Sequence, residues 1–406
     1  MRFVFVNRYF HPDASASSQF LADLAFHLRA ADHDVRVVTS NVRRDAPDET
    51  LPPSEKVLDV AVTRLAGGRM DREQLLVRSF DSAPFYRNVR QHLVEHLRKD
   101  DVLVVLSDPP LLSTVCQKVV RKQEARLVHW LLELQPEVAL QAGARVPGPV
   151  ATLLRKVRDR SLQQADANVA VSETMARRLR EAGVPDARIE VIGPWGLATI
   201  DRAGATAATA LRTDWDLEGR FVVGYAGSLG PTHDSESLLS GIEKTAGSKN
   251  RDLAWLFVGG DAGINAMRES VPMRAIDMVK FRDALPLHRL AEVMAVPDVH
   301  LVCQLPEMEG LAFPGKLAGI LAAGKPLIFI GDKEGEIGTM IDREGCGMAI
   351  QSGDAEGLAA AIAQMHAIPE SRADMGRRAR ALYERRFARE PALAAWTGLL
   401  TSLGPG

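Results

Sequence analysis

Short apolar runs alternate with amphipathic helical patterns along almost the whole chain, and this alternation constrains the fold more than any other feature. Helical patterns such as Phe20–Ala30 and Leu75–Leu97 lie between the apolar runs. Strands that alternate with helices in this way are typical of parallel sheets with helical crossovers. In the first half of the chain, the runs that predict buried strands are Arg2–Val6, Val35–Thr39, Val102–Leu106, Leu127–Leu132 and Asn168–Val171.

The alternation stops near Ile192 and starts again at Phe221. The intervening residues are rich in Gly, Pro, Ala and Thr, which predicts a linker. We therefore expect an α/β protein with two facing Rossmann-like, doubly wound domains, and ligands in the cleft between them. The predicted segments are a first Rossmann-like domain over 1–195, a linker over 196–215, a second Rossmann-like domain over 216–388 and a helix over 389–406 that crosses back to the first domain.

The composition excludes several classes of protein. The formal net charge of the 406 residues is -2, so no overall positive field favours nucleic acid. The three cysteines, Cys116, Cys303 and Cys346, are too few and too scattered for a disulfide framework or a zinc site. No apolar run is long enough to cross a bilayer. These features predict a cytoplasmic protein, either free or on the inner face of the plasma membrane, with no metal.

A helical segment after Phe313 offers an anion site. Pro314 favours a first helical turn, and Gly324 with Pro326 favours a stop after Ala323. Backbone N–H groups at the start of a helix attract anions, and Lys316 adds a full positive charge there. The same pattern also fits an ordinary capped helix with one exposed lysine.

A glycine-containing loop, Gly227–His233, follows the predicted strand that ends at Ala226. Glycines allow a backbone to approach a phosphate, and His233 could donate a hydrogen bond to it. A simple βα loop would have the same composition. The loop is not Gly-x-Gly-x-x-Gly, and the chain has no Gly-Lys-Ser/Thr loop, so the usual signals for dinucleotides and P-loop chemistry are absent.

Polar residues also follow strands of the first domain. The loop after the first strand contains His11, Asp13, Ser15, Ser17 and Ser18, which could hold a polar ligand or cap the next helix. Glu133 follows the strand that ends at Leu132, where a carboxylate could act as a base or stabilise positive charge, or simply be a solvated loop acid. In the second domain, the acids that could hold sugar hydroxyls, or could simply be surface charges, are Glu307, Glu309, Glu334 and Glu336.

The segment 145–160 combines apolar and basic residues at helical spacing. Val150, Leu153, Leu154 and Val157 lie among five arginine and lysine residues, with only Asp159 opposing them. A basic amphipathic helix can lie on an anionic membrane. A helix packed on its own domain with a solvated basic face explains the pattern equally well.

Taken together, these segments resemble a bacterial family-4 retaining glycosyltransferase of the GT-B fold. The resemblance is strongest to the subgroup that builds cell-surface polysaccharides, including the colanic-acid-type transferases. The segments that carry it are Asn7–Asp13, Ala165–Ser172, Tyr225–Gly230, Lys316–Pro326 and Gly335–Ile337. It covers nearly the whole chain.

The resemblance implies a retaining, hexosyltransferase-like enzyme with no required cofactor, a nucleotide-sugar donor (most often a UDP-sugar in this family) and a polyprenyl-diphosphate-linked saccharide acceptor. Glu133 and Lys316 would be catalytic, and the leaving phosphate would help to deprotonate the acceptor. The implied acceptor-binding residues are His11, Asp13, Ser15, Ser17 and Ser18. The implied donor-binding residues are Gly227, Ser228, His233, Gly259, Phe281, Arg282, Glu309, Gly315, Lys316, Leu317 and Glu336.

The chain departs from the family pattern at three places. Gly319 stands where many members have a ribose-binding glutamate, which leaves Glu336 as the alternative contact. The Arg and Lys that often follow the glycine turn are absent between Gly227 and Gly241. Glu133 replaces an aspartate that is usual in this subgroup. A nucleotide-sugar epimerase of the same architecture and a non-catalytic nucleotide- or sugar-binding partner therefore remain alternative hypotheses.

Overall fold

The computed structural model describes residues 1–46, 48–67, 83–197, 205–246 and 252–404. The chain forms two compact units. The first contains Met1–Gly193, Gly310–Phe313 and Glu390–Gly406, and the second contains Pro194–Glu309 and Pro314–Arg389. Neither unit is one continuous piece of chain.

An eight-stranded sheet is the centre of the first unit. Its order is β3-β4-β2-β1-β5-β6-β7-β8, and every pairing is parallel except that of β3 with β4. The strands are β1 Arg2–Val6, β2 Asp34–Ser40, β3 Ser54–Val57, β4 Val60–Leu65, β5 Val102–Leu106, β6 Arg126–Leu131, β7 Ala167–Ala170 and β8 Ile189–Val191. The central strands are rich in Val, Leu and Phe and are buried on both faces, as helical crossovers require.

Helices connect these strands and cover the sheet. The described helices of the first unit are α1 Ala16–Ala30, α2 Ala83–His96, α3 Leu112–Lys122, α4 Glu137–Gln141, α5 Gly148–Gln164 and α6 Glu173–Glu181. The last helix of the chain, α15 (Arg389–Ser402), also packs in this unit. Its Trp396 ring lies 4.5 Å from the ring of Trp130 on β6, centroid to centroid. Both indoles are buried, so α15 completes the core of the first unit.

A six-stranded parallel sheet is the centre of the second unit, in the order β11-β10-β9-β12-β13-β14. The strands are β9 Phe221–Ala226, β10 Leu253–Val258, β11 Val279–Arg282, β12 Val299–Cys303, β13 Leu327–Gly331 and β14 Gly347–Gln351. The described helices are α7 Ala205–Asp214, α8 Ser235–Ala246, α9 Ala262–Ser270, α10 Leu290–Ala295, α11 Lys316–Ala322, α12 Glu336–Glu344, α13 Ala355–Ala367 and α14 Pro369–Leu382. The chain order places the loops after β9 and β12, with the segments that lead into α11 and α12, toward the carboxyl ends of the strands.

The predicted fold class is confirmed, since both units are α/β with parallel sheets. Two details differ from the sequence prediction, and a third lies outside the described residues. Residues 205–214 of the predicted linker form α7, because Leu211 is buried in the second unit and Arg212 pairs with Asp298. Helix α11 begins at Lys316, two residues after Pro314. Part of the predicted helix Leu75–Leu97, residues 75–82, lies outside the described residues.

Candidate active site

Lys316 is the first residue of α11, and its amino group is buried. The helix is anchored because Leu317, Ala318, Ile320 and Leu321 all face the core. Within the described part of the chain, Lys316 Nζ has no hydrogen-bond partner. It lies 3.6 Å from the centroid of the Tyr225 ring, a cation–π distance. The structure therefore holds a buried cation against an aromatic face, and no carboxylate among the described residues is bonded to it.

Burial lowers the pKa of Lys316 to about 8, while the nearby Cys303 and Asp261 act in the opposite direction. Burial disfavours the charged ammonium because it removes water from the charge. A negatively charged ligand beside Nζ would restore a counter-charge and favour the protonated form. The geometry is thus suited to an anion.

The loop after β9 brings backbone close to Lys316. Gly227 has a φ of +120°, which favours glycine, and a Cβ at this position would lie 3.6 Å from Lys316 Nζ. The Tyr225 hydroxyl donates a 2.6 Å hydrogen bond to the carbonyl oxygen of Ser228. The residue that faces the ammonium group therefore also fixes the loop, and the structure brings the Gly227–Ser228 backbone close to Lys316.

Asp261 and two glycines shape the other side of this loop. One carboxylate oxygen of Asp261 accepts the Leu229 N–H at 2.9 Å, and the other accepts the Ile264 N–H and caps α9. A Cβ on Gly259 would lie 2.8 Å from the Gly227 carbonyl oxygen, and one on Gly263 would lie 1.6 Å from the Leu229 carbonyl oxygen. Gly259 therefore contributes to the site by allowing close packing. Sequence analysis missed Tyr225 and Asp261, although Asp261 stands where a helix cap is expected.

His233 also belongs to this loop. Its Nδ1 lies 3.1 Å from the amide nitrogen of Gly230 and 3.2 Å from the Gly230 carbonyl oxygen. Burial, reinforced by the charge of Lys316, lowers the pKa of His233 to about 4. The imidazole is therefore neutral near pH 7. It can hold the loop and donate a single hydrogen bond, but it adds no positive charge.

Glu309 and Glu336 come together at the start of α12. Glu309 Oε1 accepts the Glu336 N–H at 3.0 Å, and a Cβ on Gly335 would lie 2.8 Å from Glu309 Oε2. A carboxylate at the amino end of a helix is stabilised by the helix dipole. Glu309 therefore has a capping role that the sequence did not reveal, in addition to the predicted contact with sugar hydroxyls.

The side chains of three predicted donor-binding residues have structural contacts. The Phe281 ring stacks on Phe257 at 5.3 Å and lies under the guanidinium of Arg268. Arg282 donates to the carbonyl oxygens of Phe281 and Trp215. The Leu317 side chain is buried and its N–H donates to Pro314. Each of the three side chains therefore has a structural role, and the contact of these residues with a donor stays a prediction. Gly315 has a helical conformation and no side chain, so it offers backbone only.

In the first unit, Glu133 lies in the loop after β6. Its Oε1 accepts a 3.0 Å hydrogen bond from Gln135 Nε2, and its backbone forms a β-bridge with Ala312. The Leu134 N–H donates to the Leu311 carbonyl oxygen. The short segment Gly310–Phe313 is therefore bound to the same unit as Glu133, three residues before Lys316 in sequence.

The predicted acceptor-binding residues lie between β1 and the first turn of α1. Asp13 organises the loop, because its carboxylate accepts the N–H groups of Ser15 and Arg44. Ser17 Oγ accepts a hydrogen bond from Asn7 at 3.3 Å. Ser15 precedes α1 but makes no side-chain cap, so the capping alternative is not observed for this residue.

Two hydroxyl groups in this cluster are available to a ligand or to water. Ser15 Oγ and Ser18 Oγ are buried without a hydrogen-bond partner among the described residues. Buried polar atoms of this kind are usually satisfied by a bound molecule. The pKa of the nearby His11 is lowered by burial and by the positive charge of Arg64. This end of the first sheet is therefore polar.

A surface pocket of about 520 Å³ lies elsewhere in the first unit, at the amino ends of β5 and β6. Four of its charged residues pair with one another, Lys99 with Glu124 and Arg126 with Asp166. None of the predicted site residues lines it. We therefore assign the chemistry to the residues described above and not to this pocket.

Two kinds of feature are absent from the ranges that the structure describes. No group of three or more His, Cys, Asp or Glu side chains there is placed to hold a metal ion. No helix in those ranges has both the length and the apolar character needed to cross a bilayer.

Comparisons with known proteins concern the fold and the class of enzyme. Residues 16–195 match the family model described as a glycosyl transferase 4-like domain. A Pseudomonas aeruginosa protein named probable glycosyltransferase WbjE is 25% identical over 275 residues, which are 66% of this chain and 67% of that protein.

Two solved structures are similar over nearly their whole length. The sucrose-phosphate synthase of Thermosynechococcus elongatus has a TM-score of 0.79 and 18% identity, and the match covers 99% of both chains. The Anabaena protein HepE, solved with UDP-glucose, has a TM-score of 0.75 and 18% identity over 99% of this chain and 100% of that one. The chain therefore has the GT-B fold, carries a glycosyl transferase 4-like domain in residues 16–195 and is a glycosyltransferase.

Proposed function

We propose that the protein is a retaining glycosyltransferase that moves a sugar from a UDP-sugar to a hydroxyl group of a lipid-linked or oligosaccharide acceptor. The second unit would bind the donor and the first unit the acceptor. The reaction would serve exopolysaccharide, capsule or O-antigen synthesis at the inner face of the plasma membrane. This proposal goes beyond the glycosyltransferase assignment in its donor, its stereochemistry and its pathway.

The observation that carries the donor assignment is the buried Lys316 ammonium group, which has no hydrogen-bond partner in the described ranges. The glycine loop at Gly227 adjoins it. A diphosphate would supply the missing counter-charge, and a glycine loop allows oxygen atoms to approach the backbone. HepE was solved with UDP-glucose, which favours a uridine nucleotide as the first one to test.

In the proposed reaction, the bond between the sugar's anomeric carbon and the diphosphate oxygen breaks, and the acceptor oxygen bonds to the same carbon. Negative charge grows on the leaving diphosphate, and Lys316 stabilises it in a site with little water. The acceptor hydroxyl gives its proton to the leaving phosphate. Glu133, held by Gln135, would stabilise positive charge that develops on the sugar.

The first test is the transfer activity of Lys316→Ala with a panel of UDP-sugars and a saccharide acceptor. Loss of a group that stabilises transition-state charge costs about 10²- to 10³-fold in rate. Lys244→Ala is the matched control, because Lys244 is an exposed lysine of the same unit that pairs with Glu356. Lys244→Ala should keep full activity.

Two results would contradict the proposal. Full activity of Lys316→Ala would remove the phosphate-binding role of Lys316. Conversion of the UDP-sugar into an epimer without any acceptor would replace transfer by isomerisation. The stereochemistry is tested separately, since NMR of the product shows whether the anomeric configuration of the donor is retained.

A further inference from the structure

Helix α5 has an exposed apolar stripe, which is uncommon on a globular surface. The stripe consists of Val150, Leu153 and Val157, which are 45%, 59% and 41% exposed. Residues at positions i, i+3 and i+7 lie on one face of a helix. Eleven large apolar side chains are exposed in the described part of the chain, and three of them form this one stripe.

The opposite face of α5 packs on its own unit. Ala151 and Leu162 are buried there, and the helix packs against α3. The stripe is therefore not needed to hold α5 in place, and no described residue covers it.

The basic residues of α5 fall into two groups. Arg155 and Arg158 pair with Glu137 of the same unit. Lys156 and Arg160 are exposed and form no ion pair with any described residue. Lys156 follows Leu153 by three positions and Arg160 follows Val157 by three, so both cations lie beside the stripe.

We propose that this face of α5, the stripe with Lys156 and Arg160, binds the surface of an anionic lipid bilayer. Apolar side chains flanked by unpaired cations match an interfacial helix, whose apolar residues enter the headgroup region while the cations meet anionic lipids. The charge favours a lipid surface over a second copy of the chain, because two copies would bring like charges together. The inference rests on the proposed function only in that a lipid-linked acceptor lies in a membrane.

The test is co-sedimentation of the full chain with vesicles of phosphatidylcholine alone or with 30% phosphatidylglycerol. The wild-type protein should bind the anionic vesicles at least tenfold better. Each basic side chain near an anionic surface contributes about fivefold to binding. Lys156→Glu with Arg160→Glu should therefore reduce binding at least 20-fold, and Leu153→Asp should reduce it by a similar factor. High salt should weaken binding by the wild-type protein.

The matched control is Arg87→Glu with Arg90→Glu. Arg87 and Arg90 are exposed on α2 of the same unit, with a spacing comparable to that of Lys156 and Arg160. The two control substitutions change the net charge by the same amount. Their variant should bind within about twofold of the wild-type protein, since the described part of α2 presents no such stripe.

Three results would overturn the inference. They are equal binding to both kinds of vesicle, an equal loss in the control variant, and a concentration-dependent dimer that Leu153→Asp dissociates. The proposed function is tested independently, because Lys316→Ala should bind vesicles like the wild-type protein. The variant with Lys156→Glu and Arg160→Glu should still use a water-soluble acceptor.

Discussion

Two largely buried cations, one in each unit, show how differently the same kind of charge can be used. Arg158 of the first unit donates to both oxygens of Glu137 at 2.9 Å, to Asp159 at 2.6 Å and to the Gln135 carbonyl oxygen at 3.0 Å. Lys316 of the second unit contacts the face of Tyr225 but has no hydrogen-bond partner among the described residues. Arg158 stabilises a loop, whereas Lys316 is left for a ligand.

The pKa values of Arg158 and Lys316 are shifted in opposite directions, in keeping with this difference in bonding. The pKa of Arg158 is raised, since Glu137 and Asp159 outweigh the effect of burial. The pKa of Lys316 is lowered to about 8, since burial is not offset by a bonded carboxylate. An unpaired buried charge destabilises the native state. Such a group is retained in a fold where function requires it.

The largest expected effect is the loss of stability that the substitution Arg158→Met causes. Removing one partner from a buried ion pair leaves Glu137 without its bidentate donor, and this should reduce the free energy of unfolding by about 3 kcal/mol. Urea denaturation measures it. Arg155→Met is the control, because Arg155 pairs with the same Glu137 at 3.3 Å but is 44% exposed, so its loss should cost less than about 1 kcal/mol. Equal losses would remove the distinction between the two arginines.

Ligand binding should come next in size. UDP at 100 times its dissociation constant should stabilise the wild-type protein by about 2.7 kcal/mol. The same concentration should stabilise Lys316→Met much less, because the variant lacks the cation. A thermal-shift panel with UDP, GDP, ADP, CMP and NAD measures this effect. Stabilisation by NAD alone would refute the nucleotide-sugar assignment.

When neither protein has a ligand, Lys316→Met should have a free energy of unfolding about 1–3 kcal/mol higher than that of the wild-type protein at pH 7. The reason is that an apolar group replaces an uncompensated buried charge. The difference in the free energy of unfolding between Lys316→Met and the wild-type protein should become smaller as the pH rises from about 8 toward 10.5. In that window the native state has released the Lys316 proton while the unfolded chain still binds it, so the wild-type protein gains stability with pH. Denaturation of both proteins at pH 7 and pH 10 tests both expectations, the higher stability of the variant at pH 7 and the smaller difference at pH 10.

The smallest effect is the pH dependence of UDP affinity. UDP should bind the protonated form of Lys316, whose pKa without ligand is about 8. Raising the pH from 7 to 9 should therefore weaken binding about tenfold, or about 1.4 kcal/mol. Calorimetry at both pH values measures it. The dissociation constant of Lys316→Met should change less over the same range, and an equal change would assign the titration to another group.

The sequence predicted what local patterns control. Buried strands such as Val102–Leu106 and Phe221–Ala226 were identified to the residue, because apolar runs between helices have few alternatives. The Lys316 helix and the Gly227 loop were identified from glycine, proline and lysine spacing. The antiparallel hairpin of β3 and β4 was missed, since its short exposed edge strand has no continuous apolar run.

Contacts between residues far apart in the chain could not be predicted from the sequence. Nothing near Phe281 indicates that Phe257 and Arg268 would enclose its ring. Nothing near Glu309 indicates that it would cap a helix 27 residues later. The chain shows which residues are polar or apolar, but tertiary packing decides which of them still face a ligand.

The division of the chain between the units has a consequence for synthesis. The first unit contains the earliest residues of the protein, yet its core includes Trp396 beside Trp130. A ribosome makes the chain from its amino end, so Trp130 can pack against Trp396 only after nearly the whole polypeptide has been synthesised. The half of the enzyme that is translated first is therefore the last to be completed, and a gene fragment that ends at residue 193 encodes a domain with an unfilled core.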